Sequence, residues 1–468
     1  MNLTFREADR HLLFGLAPLI QPGRSAGRLI LLTDLFVIPP PLVSGMRKDL
    51  YTIYDGVAYR FDGSSGKVIW QTPVSTRVPI NNQPNWALLH VVSGVVYAVL
   101  TFDIYALDAR NGEQIWHVIN HTENGYFWAV VDDGRVYLYS LDQTFSALNA
   151  ADGSLLWHNT AFTTGDGHGF HIRHGHLYTE RHTNRGRDCE IVTLDGVTGE
   201  VRWYVPVPWT VLSPPLVEQG VVYIVAGKFL SALKELSGER IWEQAISNIT
   251  LDHLYLADGI LYAETFLQTT GAWRRNESVS DRLGRRQIFA FNARTGQLLW
   301  NSEPGTSRLL LPLVDGLLLA RQETYSIAQG YRSTIVGLDA QTGKVAQSYP
   351  LQDAIWGTLL HGTLYLLESV DLPPEKEVFR AKRDFTLKSF HPGTGQLLSA
   401  HLLGSEETTF HMVGIGNILV YRWFSEPEYR LVAYHLSDGS LAWNSPMPPP
   451  PAQTSSPTKP RSAPVLAP

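Results

Sequence analysis

The sequence contains one cysteine, Cys189, among 468 residues. A single cysteine cannot form an intrachain disulfide, and it cannot supply the sulfur ligands of a cysteine zinc cluster. Basic charge is also scarce, because 38 Lys and Arg are outnumbered by 44 Asp and Glu, for a net charge of -6. Nucleic-acid phosphates are recognised by clustered Lys and Arg. The composition therefore argues against disulfide-stapled, cysteine-zinc and nucleic-acid-binding proteins.

Long apolar runs are missing as well. The stretches LLFGLAPLI and LILLTDLFVIPPPL near the N-terminus are shorter than the ~18 to 20 apolar residues of a membrane-spanning helix. The first residues, MNLTFREADRH, include two acids where a secretory signal has a basic start. We expect no membrane span and a cytoplasmic location for the sequence as written, with export if an upstream segment precedes it.

A short phrase recurs along the whole chain: IYALDARNGEQIW at 104–116 returns as FSALNAADGSLLW at 145–157 and FAFNARTGQLLW at 289–300. Each copy has two apolar runs around a Gly turn. Nine such glycines are spaced about 40 to 58 residues apart, as in propeller blades of four strands. They are Gly66, Gly112, Gly153, Gly199, Gly238, Gly296, Gly343, Gly395 and Gly439. A second landmark, Gly-x-apolar-Tyr, precedes many of them, as at Gly94–Tyr97.

A tryptophan follows the turn glycine by four residues in seven copies, and Gln347 and Ser399 replace it in the other two. We interpret these indoles as buried rings that lie between neighbouring sheets and donate their N–H to a backbone acceptor. The structural tryptophans are Trp70, Trp116, Trp157, Trp203, Trp242, Trp300 and Trp443. Six of the nine glycines have Asp or Asn four residues earlier, such as Asp108 and Asn149, and these side chains are expected to accept hydrogen bonds from the turn amides.

The pattern [AT]-L-D-x-x-[TS]-G-x-x-x-W resembles the repeat of the pyrroloquinoline-quinone (PQQ)-like propellers. That family includes quinoprotein alcohol dehydrogenases and the non-catalytic lipoprotein of the outer-membrane β-barrel assembly machinery. The resemblance implies an all-β propeller over residues 49–445 with eight blades, seven or nine being the alternatives. Residues 1–48 would belong to the first or closing blade, and the Pro/Ser-rich residues 446–468 are expected to form a disordered tail.

The resemblance also raises the question of catalysis. Quinoprotein dehydrogenases hold PQQ with a pair of adjacent cysteines and with calcium, and the lone Cys189 cannot provide that pair. No catalytic, cofactor-binding or metal-binding residue is therefore assigned, and no cofactor is predicted. We expect a monomeric, non-catalytic scaffold that binds a protein partner. The alternatives are a PQQ-dependent enzyme and a propeller that binds a small ligand or carbohydrate in its central funnel.

Histidines cluster between positions 168 and 182, at His168, His171, His174, His176 and His182, with Cys189 nearby. Histidines two residues apart on a strand share a face, which would suit a transition metal. In the alignment of the repeats, however, His174 occupies a turn position held elsewhere by Ser93 and Asp133. The alignment therefore favours structural or surface histidines over metal ligands.

A basic insertion, 268–287, is the candidate partner-binding loop. It contains Trp273, Arg274, Arg275, Arg282, Arg285 and Arg286 on an otherwise acidic chain. Trp and Arg are frequent anchors of protein interfaces, so an anionic partner would fit. The sequence alone favours the simpler interpretation, a solvated hairpin extension. Residues 371–384 form a second charged loop between strands.

Overall fold

The fold consists of β-strands, and we describe it from a computed structural model. The described residues are 36–37, 49–54, 56–74, 87–100, 102–119, 126–140, 144–160, 170–183, 188–207, 215–246, 251–265, 287–314, 316–326, 330–351, 354–360, 362–371, 383–406, 412–415, 417–425 and 428–446. Within these ranges there is no helix long and apolar enough to cross a membrane.

The strands form four-stranded antiparallel sheets, each built from four consecutive strands, and we number these sheets as blades 1 to 9 along the chain. Blades 1 to 3 comprise β1 (Phe36–Val37), β2 (Asp49–Tyr54), β3 (Val57–Asp62), β4 (Val68–Pro73); β5 (Ala87–Val92), β6 (Val95–Leu100), β7 (Asp103–Asp108), β8 (Gln114–Ile119); β9 (Tyr126–Asp132), β10 (Arg135–Ser140), β11 (Phe145–Asn149) and β12 (Leu155–Asn159).

Blades 4 to 6 repeat the same order. They comprise β13 (His171–Arg173), β14 (His176–Thr183), β15 (Asp188–Asp195), β16 (Val201–Val207); β17 (Leu216–Glu218), β18 (Val221–Ala226), β19 (Phe229–Lys234), β20 (Arg240–Ala245); β21 (Leu251–Ala257), β22 (Ile260–Thr265), β23 (Ile288–Asn292) and β24 (Leu298–Asn301).

Blades 7 to 9 have longer strands. They comprise β25 (Thr306–Val314), β26 (Leu317–Ser326), β27 (Gly330–Asp339), β28 (Val345–Tyr349); β29 (Ala354–Leu360), β30 (Thr363–Asp371), β31 (Arg383–Phe390), β32 (Leu397–Glu406); β33 (Met412–Ile415), β34 (Ile418–Ser425), β35 (Glu428–His435) and β36 (Leu441–Pro446). We call the fourth strand of each blade its outer strand.

Alternating side chains on the middle strands pack against both neighbouring blades. In blade 2, Ala106 and Val99 face blade 3 and contact a cluster that includes Leu138. Leu107 and Ala98 face the other way and join a cluster with residues of blade 1. A sheet with two apolar faces cannot leave either of them in water, so each blade needs a neighbour on both sides.

Such clusters fill every successive junction and also the one between the last blade and the first. There, Leu431 and Trp443 of blade 9 pack with Leu50 and Phe61 of blade 1. The blades therefore form a closed ring, and closure protects apolar faces that an open row would expose.

The described residues contain nine four-stranded sheets, one for each turn glycine of the sequence. The eight blades expected from the family resemblance are therefore one too few, and the alternative of nine matches the sheet count. The N-terminal strand β1 pairs with β2 in the first blade. Residues 447–468, most of the predicted disordered tail, lie outside the described residues.

Candidate functional site

The junctions between blades place the repeat tryptophans between neighbouring sheets. The Trp116 indole of blade 2 donates a 2.9 Å hydrogen bond from Nε1 to the carbonyl oxygen of Ala150 in blade 3. Six more indoles make the same bond at 2.9 to 3.1 Å: Trp70 to Ala109, Trp157 to Gly196, Trp203 to Glu235, Trp242 to Ala293, Trp300 to Ala340 and Trp443 to Gly63. Each indole thus joins its own blade to a turn of the following one.

The turn glycine lies under the indole of the preceding blade. Gly112 has φ +75°, and a Cβ added there would lie 2.7 Å from the Trp70 ring. Gly94 of the same blade also has positive φ, at +80°, but an added Cβ would meet nothing within 4 Å. The repeated glycine is thus required twice, once by its backbone conformation and once by the ring that covers it.

A tyrosine strengthens many junctions. In blade 1 the Tyr51 hydroxyl donates to the Ala109 carbonyl oxygen at 3.3 Å, the acceptor that Trp70 also uses. The Tyr51 and Trp70 rings lie 6.0 Å apart with their planes tilted by 58°. Burial raises the pKa of Tyr51 to about 12, so its hydroxyl remains a donor well above neutral pH.

The acidic residues of the turns cap the turns themselves. Asp339 Oδ1 accepts hydrogen bonds from the backbone N–H groups of Gln341 and Thr342 and from the Thr342 hydroxyl. The Thr342 hydroxyl is the main reason that the pKa of Asp339 is lowered. The recurring carboxylates of the turns thus have a structural role of the kind predicted by the sequence.

Arg60 forms an ion pair within blade 1 and reaches from there to the carbonyl groups of blade 2. It occupies the position that Ala106 has in blade 2, since both pair with the repeat tryptophan. Its guanidinium binds the buried Asp49 carboxylate and donates to the carbonyl oxygens of Ala109 and Arg110 at 2.7 and 2.9 Å. The repeat alignment alone had assigned no role to this residue.

The junction between blades 7 and 8 has no indole because Gln347 occupies the tryptophan position. The Gln347 side chain lies against Gly395, as the indoles lie against the other turn glycines. Tyr349, two residues further along, donates its hydroxyl to the Pro392 carbonyl oxygen at 2.5 Å. Tyr349 thereby supplies the hydrogen bond that the indole makes elsewhere.

The junction between blades 8 and 9 differs from the sequence expectation. Ser399 does occupy the tryptophan position, and its hydroxyl bonds to the Ser389 hydroxyl at 2.6 Å. The side chain that covers Gly439 is, however, His401, whose Cβ would lie 2.1 Å from an added Cβ. Because serine is too short to reach the next blade, the residue two positions later on the same face takes over this contact.

The described histidines of the 168–182 region lie at ordinary repeat positions. His171 pairs with Tyr178 across two strands as His90 pairs with Tyr97. His174 has φ 50° in a turn, like Ser93 and Asp133. No group of three or more His, Cys, Asp or Glu side chains in the described part of the chain is placed to hold a metal. His168 and the side chain of His182 lie outside the described residues.

His174 and Tyr178 converge on Glu235 of blade 5. The His174 Nδ1 lies 2.8 Å from Glu235 Oε1, and the Tyr178 hydroxyl donates to the same oxygen at 3.1 Å. Burial and the Glu235 charge raise the pKa of Tyr178. Cys189 is buried, and its thiol lies 3.7 Å from Glu180 Oε2. The contacts of His174 and Tyr178 with Glu235 link blades 4 and 5, and burial leaves no accessible thiol at Cys189.

The candidate partner-binding loop, with Trp273, Arg274, Arg275, Arg282, Arg285 and Arg286, lies outside the described residues. The loop joins β22 to β23 in the sequence. Strand β22 ends, and strand β23 begins, on the face opposite the Gly turns. Most of the second charged loop, 372–382, also lies outside them.

On the Gly-turn face a cleft of about 400 Å³ opens between blades 6 and 7, with Asp258 and Asp339 at its edge and Ile260 and Leu317 among its apolar lining.

Comparison with known proteins shows the same repeat elsewhere. A family model described as "Outer membrane protein assembly factor BamB" matches residues 54–168, 161–244 and 227–361, about two thirds of the chain. The protein of that name from Yersinia pestis is 24% identical over 273 residues, which are 54% of this chain and 53% of the relative. Its counterpart from Moranella endobia (strain PCIT) is 26% identical over 249 residues, 49% of this chain and 62% of the relative.

The chain thus spans little more than half of the length of these curated relatives. A solved structure titled "Crystal structure of the eukaryotic initiation factor" superimposes with a TM-score of 0.57 at 8% identity, covering 83% of this chain and 93% of that one. At this identity the likeness concerns the propeller fold alone.

Proposed function

We propose that this chain, which belongs to the family described as outer membrane protein assembly factor BamB, is a non-catalytic scaffold for protein partners. The proposal rests on the family match, which covers residues 54–361 in three overlapping segments. The curated relatives are named as assembly factors, and assembly factors act by binding other proteins. A ring with an indole or its substitute at every junction suits that role, because a rigid body loses little conformational entropy on binding.

The basic loop is the proposed contact with an anionic partner. Its five arginines, which include the adjacent pairs Arg274–Arg275 and Arg285–Arg286, belong to an otherwise acidic chain, so they would attract a partner that the rest of the surface repels. Trp273 beside them would provide the apolar anchor that arginine-rich interfaces commonly contain.

The test is affinity purification of the tagged full-length chain from its native host, followed by gel filtration of what remains bound. We expect a protein complex of fixed stoichiometry, and we expect it to weaken when Arg274, Arg275, Arg285 and Arg286 are all replaced by Glu. The matched control replaces Lys67, Arg110, Arg294 and Lys344 by Glu. These four are exposed on the Gly-turn face, so the control makes the same charge change away from the loop.

Two results would contradict the proposal. If no protein copurifies, and PQQ with calcium instead raises the unfolding temperature and supports dye reduction by alcohols, the chain is an enzyme. A ligand at about 100 times its dissociation constant stabilises a protein by about 2.7 kcal/mol, a shift that is readily measured. If both quadruple variants weaken the complex equally, partner binding stands but the loop is not the contact.

A further inference from the structure

The cleft between blades 6 and 7 combines two carboxylates with apolar side chains. Asp258 lies in the turn between β21 and β22, and Asp339 is the last residue of β27. Neither carboxylate forms an ion pair with another described residue. Ile260, Leu313 and Leu317 line the cleft beside them. The edge of the cleft is therefore negatively charged, and the surface next to it can pack against a hydrocarbon chain.

The junction between blades 3 and 4 has carboxylates at the same two repeat positions. Asp133 occupies the hairpin-turn position of Asp258, and both have positive φ, at 42° and 48°. Asp195 occupies the position of Asp339, and each accepts a hydrogen bond from the backbone N–H two residues later. The two junctions therefore share the same arrangement of negative charge.

An arginine neutralises each carboxylate between blades 3 and 4. Arg135 Nη1 lies 3.1 Å from an oxygen of the blade 3 carboxylate, and Arg202 Nη1 lies 3.4 Å from an oxygen of the blade 4 carboxylate. The corresponding residues beside the cleft are apolar. Ile260 replaces Arg135, one residue after the hairpin glycine, and Ala346 replaces Arg202, three residues after the turn glycine. The cleft thus has the two negative charges of that junction without the two positive ones.

A tyrosine at each of these junctions responds to the difference in charge. Tyr137 and Tyr262 each donate to a backbone carbonyl oxygen of the next blade, at 3.3 and 3.4 Å. Burial raises the pKa of both hydroxyls. The Arg135 charge opposes that increase at Tyr137, whereas the charges of both cleft carboxylates add to it at Tyr262 and bring its pKa to about 12. Among the described residues, no cation opposes the negative charge that reaches Tyr262.

We propose that the cleft between blades 6 and 7 binds an arginine side chain of a protein partner. The guanidinium pairs with Asp258 and Asp339, and its methylene groups pack on Ile260 and Leu317. The partner thereby supplies from outside the positive charge that the chain itself supplies between blades 3 and 4. The inference rests on the proposed function, because a bound protein must deliver the side chain.

The form of the cleft favours a side chain over a free small molecule. It opens on the Gly-turn face, so a small ligand there would remain partly in water and bury little surface. A side chain needs less from the cleft itself, since the rest of the partner contributes further contact area. Arginine fits better than lysine because its planar guanidinium has five N–H donors and can bond to two carboxylates at once.

The first test uses a peptide in place of the unidentified partner. A short peptide with one arginine between two leucines is titrated to about 5 mM into the full chain, and methyl NMR signals of its Ile and Leu residues are followed. We expect the signals of Ile260, Leu313 and Leu317 to shift. The matched peptide has citrulline, which keeps the shape of arginine without its charge, and we expect it to bind at least about tenfold more weakly.

The double variant Asp258→Asn/Asp339→Asn removes both charges and keeps hydrogen-bond acceptors in place. We expect it to fold, because Asn292 already caps the Gly turn of blade 6 at the position of Asp339 and accepts from two backbone N–H groups. It should bind the arginine peptide at least about tenfold more weakly than the unchanged chain. The control Asp133→Asn/Asp195→Asn makes the same change between blades 3 and 4 and should leave peptide binding unchanged. Unfolding temperatures show whether both variants are folded.

Affinity purification with the two double variants separates this inference from the proposed function. We expect the cleft variant to retain less of the copurifying protein than the control variant does. If both retain it equally, or if the citrulline peptide binds as tightly as the arginine peptide, the inference is overturned and the scaffold role stands. If the unchanged chain captures no protein, the proposed function fails. A cleft that still binds the arginine peptide is then a site for a free guanidinium compound, which overturns the protein partner as its occupant.

Discussion

The indole Nε1 of Trp443, in the last strand, donates a 3.0 Å hydrogen bond to the carbonyl oxygen of Gly63, 380 positions earlier in the chain. The Ser445 hydroxyl bonds to the neighbouring Gly66 carbonyl oxygen, and the Trp443 ring covers Gly66 itself. These contacts repeat those between consecutive blades. The ring is therefore closed by the same interaction that builds it, without exchange of a strand between the first and last blades.

The buried indoles should contribute strongly to stability. Replacing Trp116 by Ala removes a buried ring and its hydrogen bond to Ala150, and we expect a loss of about 3 to 5 kcal/mol in the free energy of unfolding. Gln347→Ala is the control, because Gln347 occupies the same repeat position without an indole, and we expect a loss below about 1 kcal/mol. Urea denaturation measures both. A loss below about 1 kcal/mol for Trp116→Ala would contradict the assigned packing.

Two glycines of blade 2 separate the cost of backbone strain from that of the ring contact. Gly94→Ala should cost about 1 to 2 kcal/mol, the penalty of a left-handed backbone for a residue with a Cβ. Gly112→Ala carries the same penalty and also places its Cβ against Trp70, so we expect about 1 to 3 kcal/mol more. The comparison is made by urea denaturation. Equal losses at the two positions would show that the ring leaves room for a methyl group.

Stability should fall at high pH because burial raises the pKa of Tyr51 and Tyr262 to about 12 in the folded protein. The usual tyrosine pKa is about 10, so the folded state binds these protons more tightly than the unfolded state. Their contribution is complete below about pH 10 and is lost as the pH rises toward about 12. Unfolding free energies at several pH values test this.

The double variant Tyr51→Phe/Tyr262→Phe provides the comparison for that pH dependence. It should show a shallower decline above about pH 10, since two of the groups that hold extra protons in the folded state are gone. Tyr204→Phe removes a hydroxyl from an exposed ring and should leave the decline unchanged. A decline of equal steepness in the double variant would assign the alkaline loss to other groups.

The ion pair between Arg60 and Asp49 should be costly to break from one side. Arg60→Met leaves the buried Asp49 carboxylate without its cation, and we expect a loss of about 3 to 5 kcal/mol. Adding Asp49→Asn should recover part of that loss, because an amide needs no counter-charge. Urea denaturation of the two single variants and the double variant gives the coupling energy. Additive effects would mean that the pair contributes nothing beyond its packing.

Much of the fold can be predicted from the sequence because every blade must pack its two apolar faces against its neighbours. In blade 2 the end of the turn and the bulge of the outer strand lie between Gly112 and Trp116. The repeated spacing of Gly and Trp therefore predicts a hairpin with an indole just after it. The blade count was the exception. The nine glycines indicated nine units, and the expectation of eight came from the resemblance to a family.

The contacts that the sequence did not predict are those in which a different residue performs a repeated task. Tyr349 and His401 take over from the missing indoles because they lie two residues further along on the same strand face. That substitution is visible only when neighbouring blades are placed together. Arg60 has no counterpart in the other repeats, and its role depends on carbonyl groups in the next blade. The repeat pattern shows where side chains point but not which distant atoms they reach.

Since each blade is assembled from neighbouring segments, seven of the nine blade junctions can form before the strands of blade 9 have been synthesised. The last two must wait for blade 9, whose Gly439 turn contacts blade 8 and whose Trp443 contacts blade 1. A nascent chain that lacks blade 9 leaves one apolar face of blade 8 and one apolar face of blade 1 exposed to solvent. Until blade 9 is complete, these two apolar faces are open to association with other chains.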